Sequence, residues 1–519
     1  MAHSEVVPTM NDLATNQIPM NETTVPRSRG ALAGVAAVAT SFGSSELLAA
    51  ILGVPSLIQG IADRVVDAVP PSVKEFAIDV FGTNDKLALL VGISMVALGL
   101  GALLGALSRR REQPMVIAII AFAIIAALAT SRSAASGQLA PWLLALLAMA
   151  AGVFTFRWLM KNRGPAPDGR REMLKATSAT GLGLLLAGSG RLLGAATTES
   201  ATGRETVALG GASTTAPALA AGTSFDVPEL TPIVVPNEDF YRIDTAIAVP
   251  RVAVDTWKLS FIGMVDNPYE ITFDELMNEE MVERYVTLSC VSNEVGGGLV
   301  GNARWLGVPL STLLARAQPQ AGASQIVGRA VDDFTVGFPL EAAFDGREAL
   351  VAVAMNGEAL PIEHGFPVRL VVAGLYGYVS ATKWLSEIEL TTWDGFDAYW
   401  VPRGWSKEAP IKVQSRIDTP RNSFAAGSRA IAGVAWAPNR GVARVEVSVD
   451  EGAWTDAELS DPLSQDAWVQ WRLEHDFAAG SHQIRVRATD ADGVTQGETR
   501  VPPAPNGAEG WHTVNVQAT

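Results

Sequence analysis

The strongest constraint on this chain is a series of apolar runs in its first 200 residues. Gly30–Val54 is apolar apart from Glu46, and Leu87–Leu107 is apolar throughout; Met115–Thr130, Leu139–Phe156 and Ala176–Ala196 follow, the last interrupted by Arg191. Hydrocarbon offers no water to peptide groups, so such runs fold as helices, and at ~1.5 Å per residue the second run is long enough to span a bilayer core. The expectation is a bundle of about five transmembrane helices over residues 30–197, preceded by a polar tail at 1–29. A mean hydropathy of +0.21 over the whole chain points the same way.

Arg27 and Arg29 precede the first run, Arg109, Arg110 and Arg111 follow the second, and Lys161, Arg163, Arg170 and Arg171 lie between the fourth and fifth. In a five-helix weave all three clusters fall on one side, which the positive-inside rule makes cytoplasmic. The expected location is a prokaryotic cell membrane, multi-pass, with the N-terminus cytoplasmic and the remaining two thirds of the chain on the outer face. Residues 198–234, rich in Thr, Ala, Ser and Gly at their start, read as a flexible linker. A formal net charge of −15 excludes a nucleic-acid partner, which needs a basic face.

Cys290 is the only cysteine in 519 residues. A lone thiol cannot close an intramolecular disulfide, which leaves an inert core residue or a sulfur used for chemistry or metal ligation. Val286-Thr287-Leu288 before it reads as a buried strand, and Ser292, Asn293, Glu294 and Gly296, Gly297 and Gly298 after it allow close approach of backbone to a ligand. A second cluster runs Glu363-His364-Gly365-Phe366-Pro367-Val368-Arg369 and on through Gly377-Tyr378-Val379-Ser380-Ala381-Thr382-Lys383-Trp384. A lone histidine before a strand is more often structural, but His364, Arg369 and Lys383 together offer three potential cations near glycine-bearing loops. From about Gln414, short alternating strands such as Arg444–Asp450 and His482–Ala488, with turns such as Asp492-Gly493, predict an immunoglobulin-like sandwich over 413–519.

These runs, with Pro236-Asn237-Glu238-Asp239-Phe240-Tyr241-Arg242-Ile243-Asp244, Gly301-Asn302-Ala303-Arg304-Trp305-Leu306-Gly307-Val308-Pro309-Leu310 and Gly433-Val434-Ala435-Trp436, resemble the sulfite oxidase family of molybdopterin enzymes from residue 235 to the end. The resemblance implies an α+β cofactor domain over 235–412 and a C-terminal dimerisation-type domain, hence a homodimer. It also implies molybdenum with molybdopterin, ligated by the Cys290 thiolate. His364, Arg369 and Lys383 would hold the pterin, with Asn237, Tyr241, Asn302, Arg304 and Ser380 as further cofactor contacts. Arg242 would face the metal and its oxyanion substrate, a fork of donors suited to that task; an ion pair with Asp239 or Asp244 is the alternative. Trp305 is either a contact to the pterin or substrate channel or a core residue.

Departures from the family bear on the substrate. Sulfite-oxidising members carry an arginine where this chain has Val295, end in Trp-His-Arg where it has Trp511-His512-Thr513, and place a tyrosine near the metal where it has Trp405, with Tyr399 the nearest tyrosine. One cysteine rules out iron–sulfur clusters and a CxxCH haem site, and no histidine lies between His3 and His364 to ligate haem in the bundle. A separate electron-transfer partner is therefore expected. Gly169-Arg170-Arg171-Glu172-Met173-Leu174-Lys175 resembles a twin-arginine export signal, or is an ordinary positive-inside pair; folded export suits a domain built around a cofactor made in the cytoplasm. The expected function is oxygen-atom transfer on a small substrate, in the sense of sulfite-like anion oxidation. The alternatives are reduction of S- or N-oxides, or a membrane-anchored binding protein without catalysis.

Overall fold

The computed structural model describes residues 26–69, 73, 80–81, 85–108, 110–131, 139–161, 169–247 and 249–519. The N-terminal tail expected at 1–29 lies almost wholly outside these residues.

Five long helices stand where the apolar runs predict them: α1 (Arg27–Leu52), α3 (Asp85–Leu107), α4 (Gln113–Thr130), α5 (Ala140–Met160) and α6 (Gly169–Thr202). The first four of these are long and apolar enough to cross a membrane by length and composition. A short amphipathic helix, α2 (Leu57–Ala68), is added between α1 and α3; Ser56 and Gln59 close a capping box at its start. The twin-arginine-like segment forms the backbone of the first turns of α6.

Helix α1 is the centre of the bundle and packs on α3, α5 and α6. Glycines make this possible. Gly30 and Gly34 of α1 face Gly105 and Gly101 of α3 so closely that a Cβ on either would strike the opposing carbonyl, and Gly43 meets Gly183 of α6 in the same way. Small residues four apart let helix backbones approach where apolar surface alone gives no preference for one partner over another. Large apolar side chains point outwards instead, Met95, Val96, Leu103, Ile117 and Ile125 among them, each more than half exposed. At one end of the bundle the Arg29 guanidinium donates to the Leu159 carbonyl at 3.0 Å and Arg157 pairs with Glu112 at 3.1 Å. The start of α1, the start of α4 and the end of α5 thereby meet at a single end, with Arg29 and Arg157 there.

The middle of the chain is α+β. One sheet runs in the order Tyr269–Thr272 (β2), Lys258–Gly263 (β1), Leu385–Thr391 (β10), Gln325–Ala330 (β5), Thr335–Pro339 (β6). A second joins Val282–Ser289 (β3), Val300–Pro309 (β4), Ala349–Met355 (β7) and Glu358–Ala359 (β8), with Arg369–Val372 (β9) paired to β7. The predicted Thr272 cap is a full capping box, Glu275 N–H donating to Thr272 Oγ1 and Thr272 N–H donating to the Glu275 carboxylate. Gln414–Ala518 forms two facing sheets of four and five strands.

The segment after α6 is not the free linker its composition predicts. Ser213 N–H donates to Met281 O at 2.8 Å, Glu283 N–H to Thr214 O at 2.8 Å and Asp461 N–H to Gly222 O at 2.8 Å. Gln470 accepts from Phe225 N–H and donates to Thr231 O. Its small side chains allow the backbone to lie flat across both β domains, which composition alone does not reveal. The two β domains also share a core: Trp468 is fully buried, its indole N–H donating to Ile233 O at 2.7 Å and its backbone N–H to Thr287 Oγ1 at 2.8 Å.

Gly34→Leu is expected to separate α1 from α3, costing about 1–3 kcal/mol or more of bundle stability. Gly92→Leu, at an α3 position with nothing near its Cβ, is expected to be neutral. Thermal unfolding of the two variants in one detergent checks the contrast.

Candidate active site

Cys290 directly follows the last residue of β3 and is buried. Its N–H donates to Leu299 O at 2.9 Å, its carbonyl accepts from Asn293 N–H at 3.1 Å, and Asn293 Oδ1 accepts from Leu299 N–H at 2.8 Å. Residues 290–299 thus close into a compact loop. Burial pushes the thiol pKa up, while the Ser292 amide and hydroxyl and the Val291 amide donate towards the sulfur and oppose that shift. A desolvated sulfur already provided with donors is suited to become a thiolate when a metal cation supplies the missing charge.

The loop is braced from the C-terminal sandwich. Gly296 has φ +80°, and a Cβ there would run into the His512 ring. His512 Nδ1 accepts from Ile417 N–H at 2.9 Å, and Arg416 donates to Gly297 O at 2.9 Å while paired with Asp418 at 2.6 Å.

Above Cys290 lies a cavity of about 140 Å³, bordered by Tyr241, His364, Arg369 and Lys383 and by the aromatic rings of Tyr378, Trp384, Trp400 and Trp405. Arg369 is 5% exposed. It donates only to backbone, to His364 O at 3.0 Å and Leu370 O at 3.4 Å, and no carboxylate pairs with it among the described residues. Burial lowers its pKa to about 10. A buried guanidinium without a counter-charge calls for an anion, and molybdopterin carries one.

His364 is neutral. Its Nε2–H donates to the Asn237 carbonyl at 3.0 Å, and burial, then Arg369, lowers its pKa to about 4. The three cations expected at this corner are thus two. Lys383 donates to Glu363 O at 3.0 Å and to Asp244 Oδ2 at 2.8 Å, and burial brings its pKa down to about 8.

Asp244 is the junction of the site. Its carboxylate is 3% exposed and binds Lys383 on one oxygen and Lys86, from the first turn of α3, at 2.6 Å on the other. Lys86 also donates to the carbonyls of Asp244 at 2.9 Å and Ala246 at 2.7 Å. Although burial opposes it, the cations of Lys383, Lys86 and Arg242 hold the carboxyl well below the usual range. Arg242 pairs with this same carboxylate at 3.0 Å and is 42% exposed. The ion-pair alternative for Arg242 is therefore the observed arrangement, and its side chain borders a neighbouring cavity and not the one over Cys290.

Family descriptions match the two β regions in turn: "Oxidoreductase molybdopterin binding domain" over residues 246–400 and "Mo-co oxidoreductase dimerisation domain" over residues 409–518. The chain belongs to the sulfite oxidase family of molybdopterin oxidoreductases. Similar curated proteins include the mitochondrial sulfite oxidase of Homo sapiens, 30% identical over 54% of this chain and 61% of that protein. The NADH nitrate reductase of Solanum lycopersicum is 28% identical over 48% of this chain and 35% of its own length. The chain thus spans less than two thirds of the length of each of these two relatives. Among solved structures, the sulfane dehydrogenase SoxCD from Paracoccus pantotrophus superposes with a TM-score of 0.50 at 23% identity, over 56% of this chain and 84% of that one. This last likeness concerns the fold.

Within the sulfite oxidase frame, Cys290, Tyr241, His364, Arg369 and Lys383 border the cavity. Besides Arg242, four other sequence candidates do not. Asn237 is engaged with Asn356, Glu358 and Met355 O, and reaches the site only through the carbonyl that holds His364. Asn302 is buried between Thr287 Oγ1 and Ile233 O. Arg304 lies on an outward position of β4 near Glu283, and Ser380 turns back on the carbonyls of Leu375 and Tyr376. In each case a nearer backbone or side-chain partner takes the polar group. Trp305 is core, its indole donating to Val286 O at 3.1 Å. Sequence reasoning passed over Asp332, Tyr378, Trp384 and Trp400, which carry no motif of their own; Tyr378 and Trp384 lay inside a quoted run.

Asp244→Asn would leave the buried Lys383 and the partly buried Lys86 without this counter-charge and is expected to cost about 3 kcal/mol, read by thermal unfolding. The neutral histidines set an acid limb. The folded pKa of about 4 at His364 and at His512 lies below the unfolded value of about 6.5, so the unfolded chain binds more protons in between. Stability is full above about pH 6.5 and falls as pH drops towards 4, by on the order of 1–3 kcal/mol per histidine. Stability measured against pH for His512→Gln should show a shallower limb in that window.

Proposed function

We propose that the chain is a membrane-anchored molybdenum-cofactor oxidoreductase that transfers an oxygen atom between water and a small substrate, as in oxidation of a sulfite-like anion. The observation that carries this is the pairing of a buried, donor-supplied thiol at Cys290 with the uncompensated guanidinium of Arg369 at one small cavity. Cys290 would hold the metal; Arg369 and Lys383 would hold the anionic part of the pterin. Molybdenum with its pterin dithiolene, when bound, supplies a two-electron couple. The balance is substrate plus water giving the oxygenated product, two protons and two electrons.

This chain's residues confine and orient the reaction. The rings of Tyr378, Trp400 and Trp405 line the cavity with apolar surface, which disfavours bulk water beside the reacting centre. His364, neutral at pH 7, is fixed by the Asn237 carbonyl and presents its other ring nitrogen as an acceptor. Asp332, elsewhere on the wall of the same cavity, has its pKa raised to about 6 by burial, which suits a carboxyl that takes up and releases a proton near neutrality. The apolar outer face of the bundle and its basic end support the cell membrane as the location, with the catalytic domain on the side opposite the basic clusters. The dimerisation-type domain supports a homodimer.

A second reading, reduction of an S- or N-oxide, is favoured by Val295, buried at 7%, and by Thr513, where sulfite-oxidising members place arginines. Each missing charge-assisted bond is worth about 1.5–3 kcal/mol towards a dianion. A neutral oxide does not need them.

Protein from a cofactor-competent host is expected to contain about one molybdenum and one pterin per chain. Cys290→Ser is expected to fold, to lose the metal and to lose turnover by at least 100-fold. Metal analysis, together with turnover on sulfite with an artificial acceptor against turnover on a sulfoxide with an artificial donor, decides between the readings. A Cys290→Ser protein with full turnover would exclude both.

A further inference from the structure

A second cavity, of about 780 Å³, opens between the helix bundle and the molybdopterin domain. Its floor is the end of α1, the start of α2 and the Gly190-Arg191 stretch of α6; its roof is the Arg242–Arg251 segment and the Asp332–Phe334 turn. The volume lies in the range of about 300–1,000 Å³ usual for small-molecule sites. It shares Thr245, Asp332 and Phe334 with the cavity over Cys290, so the two are separated by one layer of side chains. An unbroken run of ring contacts joins them: Phe334 to Tyr399 at 5.5 Å, Tyr399 to Trp400 at 5.2 Å and Trp400 to Trp405 at 6.4 Å.

We propose that this interface cavity binds the head of a membrane quinone, which exchanges two electrons and two protons with the reaction at Cys290. The inference rests on the oxidoreductase reading and names its electron partner. Charge decides the class of occupant. Five arginines and five carboxylates border the cavity, so it presents no net positive field to a phosphate. A neutral ring with two carbonyl acceptors fits such a wall: Arg251, which has no hydrogen-bond or ion-pair partner among the described residues, supplies donors, and Phe334 and Tyr399 supply aromatic faces. Asp332, at the boundary of both cavities, is placed to pass protons between them. Part of the floor is the end of α1, one of the helices apolar enough to cross a membrane, so the cavity lies beside the part of the chain that an isoprenoid tail would share with lipid.

The stoichiometry closes without a further reactant. Substrate plus water gives oxygenated product, two electrons and two protons; quinone takes up both pairs and becomes quinol. In the reductive direction quinol supplies the same two electrons and two protons, and oxide becomes substrate plus water.

The test uses the cofactor-loaded full chain in nanodiscs of phosphatidylcholine. Decyl-ubiquinone binding is followed by quenching of intrinsic fluorescence, and an azido-quinone label is mapped by mass spectrometry. Wild type is expected to bind saturably and to label within residues 46–64 or 242–251. Ala50→Phe, which fills the cavity from α1, and Arg251→Ala are each expected to weaken binding at least 10-fold while turnover with ferricyanide stays within twofold. Absence of saturable binding by a wild type that still reduces ferricyanide overturns the quinone site and leaves the oxidoreductase reading intact. Labelling elsewhere, unchanged affinity in both variants, or equal competition by phosphatidylglycerol also overturns it. A protein that labels in the cavity yet turns over with no acceptor retains the site and refutes the oxidoreductase reading.

Discussion

One buried carboxylate organises this molecule. Asp244 takes Lys383 from the cofactor corner on one oxygen and Lys86 from the helix bundle on the other, with Arg242 alongside. A carboxylate 3% exposed is tolerable only because cations surround it, and those cations are held only because it is there. Lys86 donates to this one loop three times, to Asp244 Oδ1 and to the carbonyls of Asp244 and Ala246. The contact between the bundle and the β domains is therefore polar and specific. Its geometry reaches the cavity over Cys290 through Asp244 and Lys383, which both line it.

The same economy appears at the Cys290 loop. The loop carries three glycines and would be poorly fixed by itself. His512 and Arg416 of the C-terminal sandwich press on Gly296 and Gly297, so the domain named for dimerisation also sets the position of the thiol. Replacement of the family's terminal arginine by Thr513 leaves this bracing intact, since His512 does it. Support for the sulfur and recognition of an anion are thus separable properties of one short run.

What the sequence made legible was what local physics decides. Apolar runs located the first four long helices to within a few residues, because hydrocarbon-like surfaces leave the backbone no other choice; the fifth run, broken by Arg191, lies inside a longer helix that is not among those apolar enough to cross a membrane. Cys290 stood out because a lone thiol demands explanation, and Arg369 because it formed, with His364 and Lys383, a cluster of potential cations near glycine-bearing loops. The rest depended on contacts across long stretches of chain. Asp244 read as a partner for Arg242 two residues away, and nothing in its neighbourhood announced Lys86, 158 residues earlier. Asn302, Arg304 and Ser380 matched a familiar pattern, but their polar groups are taken by closer partners. Helix α2 escaped notice because twelve amphipathic residues carry no membrane signal. The segment after α6 deceived because small residues suit both a free chain and a backbone laid flat on its neighbours.

That last segment has a mechanical consequence. A slack tether would let the catalytic body swivel and sweep a hemisphere in search of redox partners, with its reach set by contour length. Here Arg204, just past the end of α6, is clamped to the carbonyls of Leu360 and Ala359, both at 2.8 Å, and the strand-like stretch beyond is stitched down at Ser213 and Thr214. The body is docked as a fixed turret. Its cavity keeps one height and one heading relative to the helices, and an insertion of a few residues after Thr202 would disturb aim before it disturbed folding.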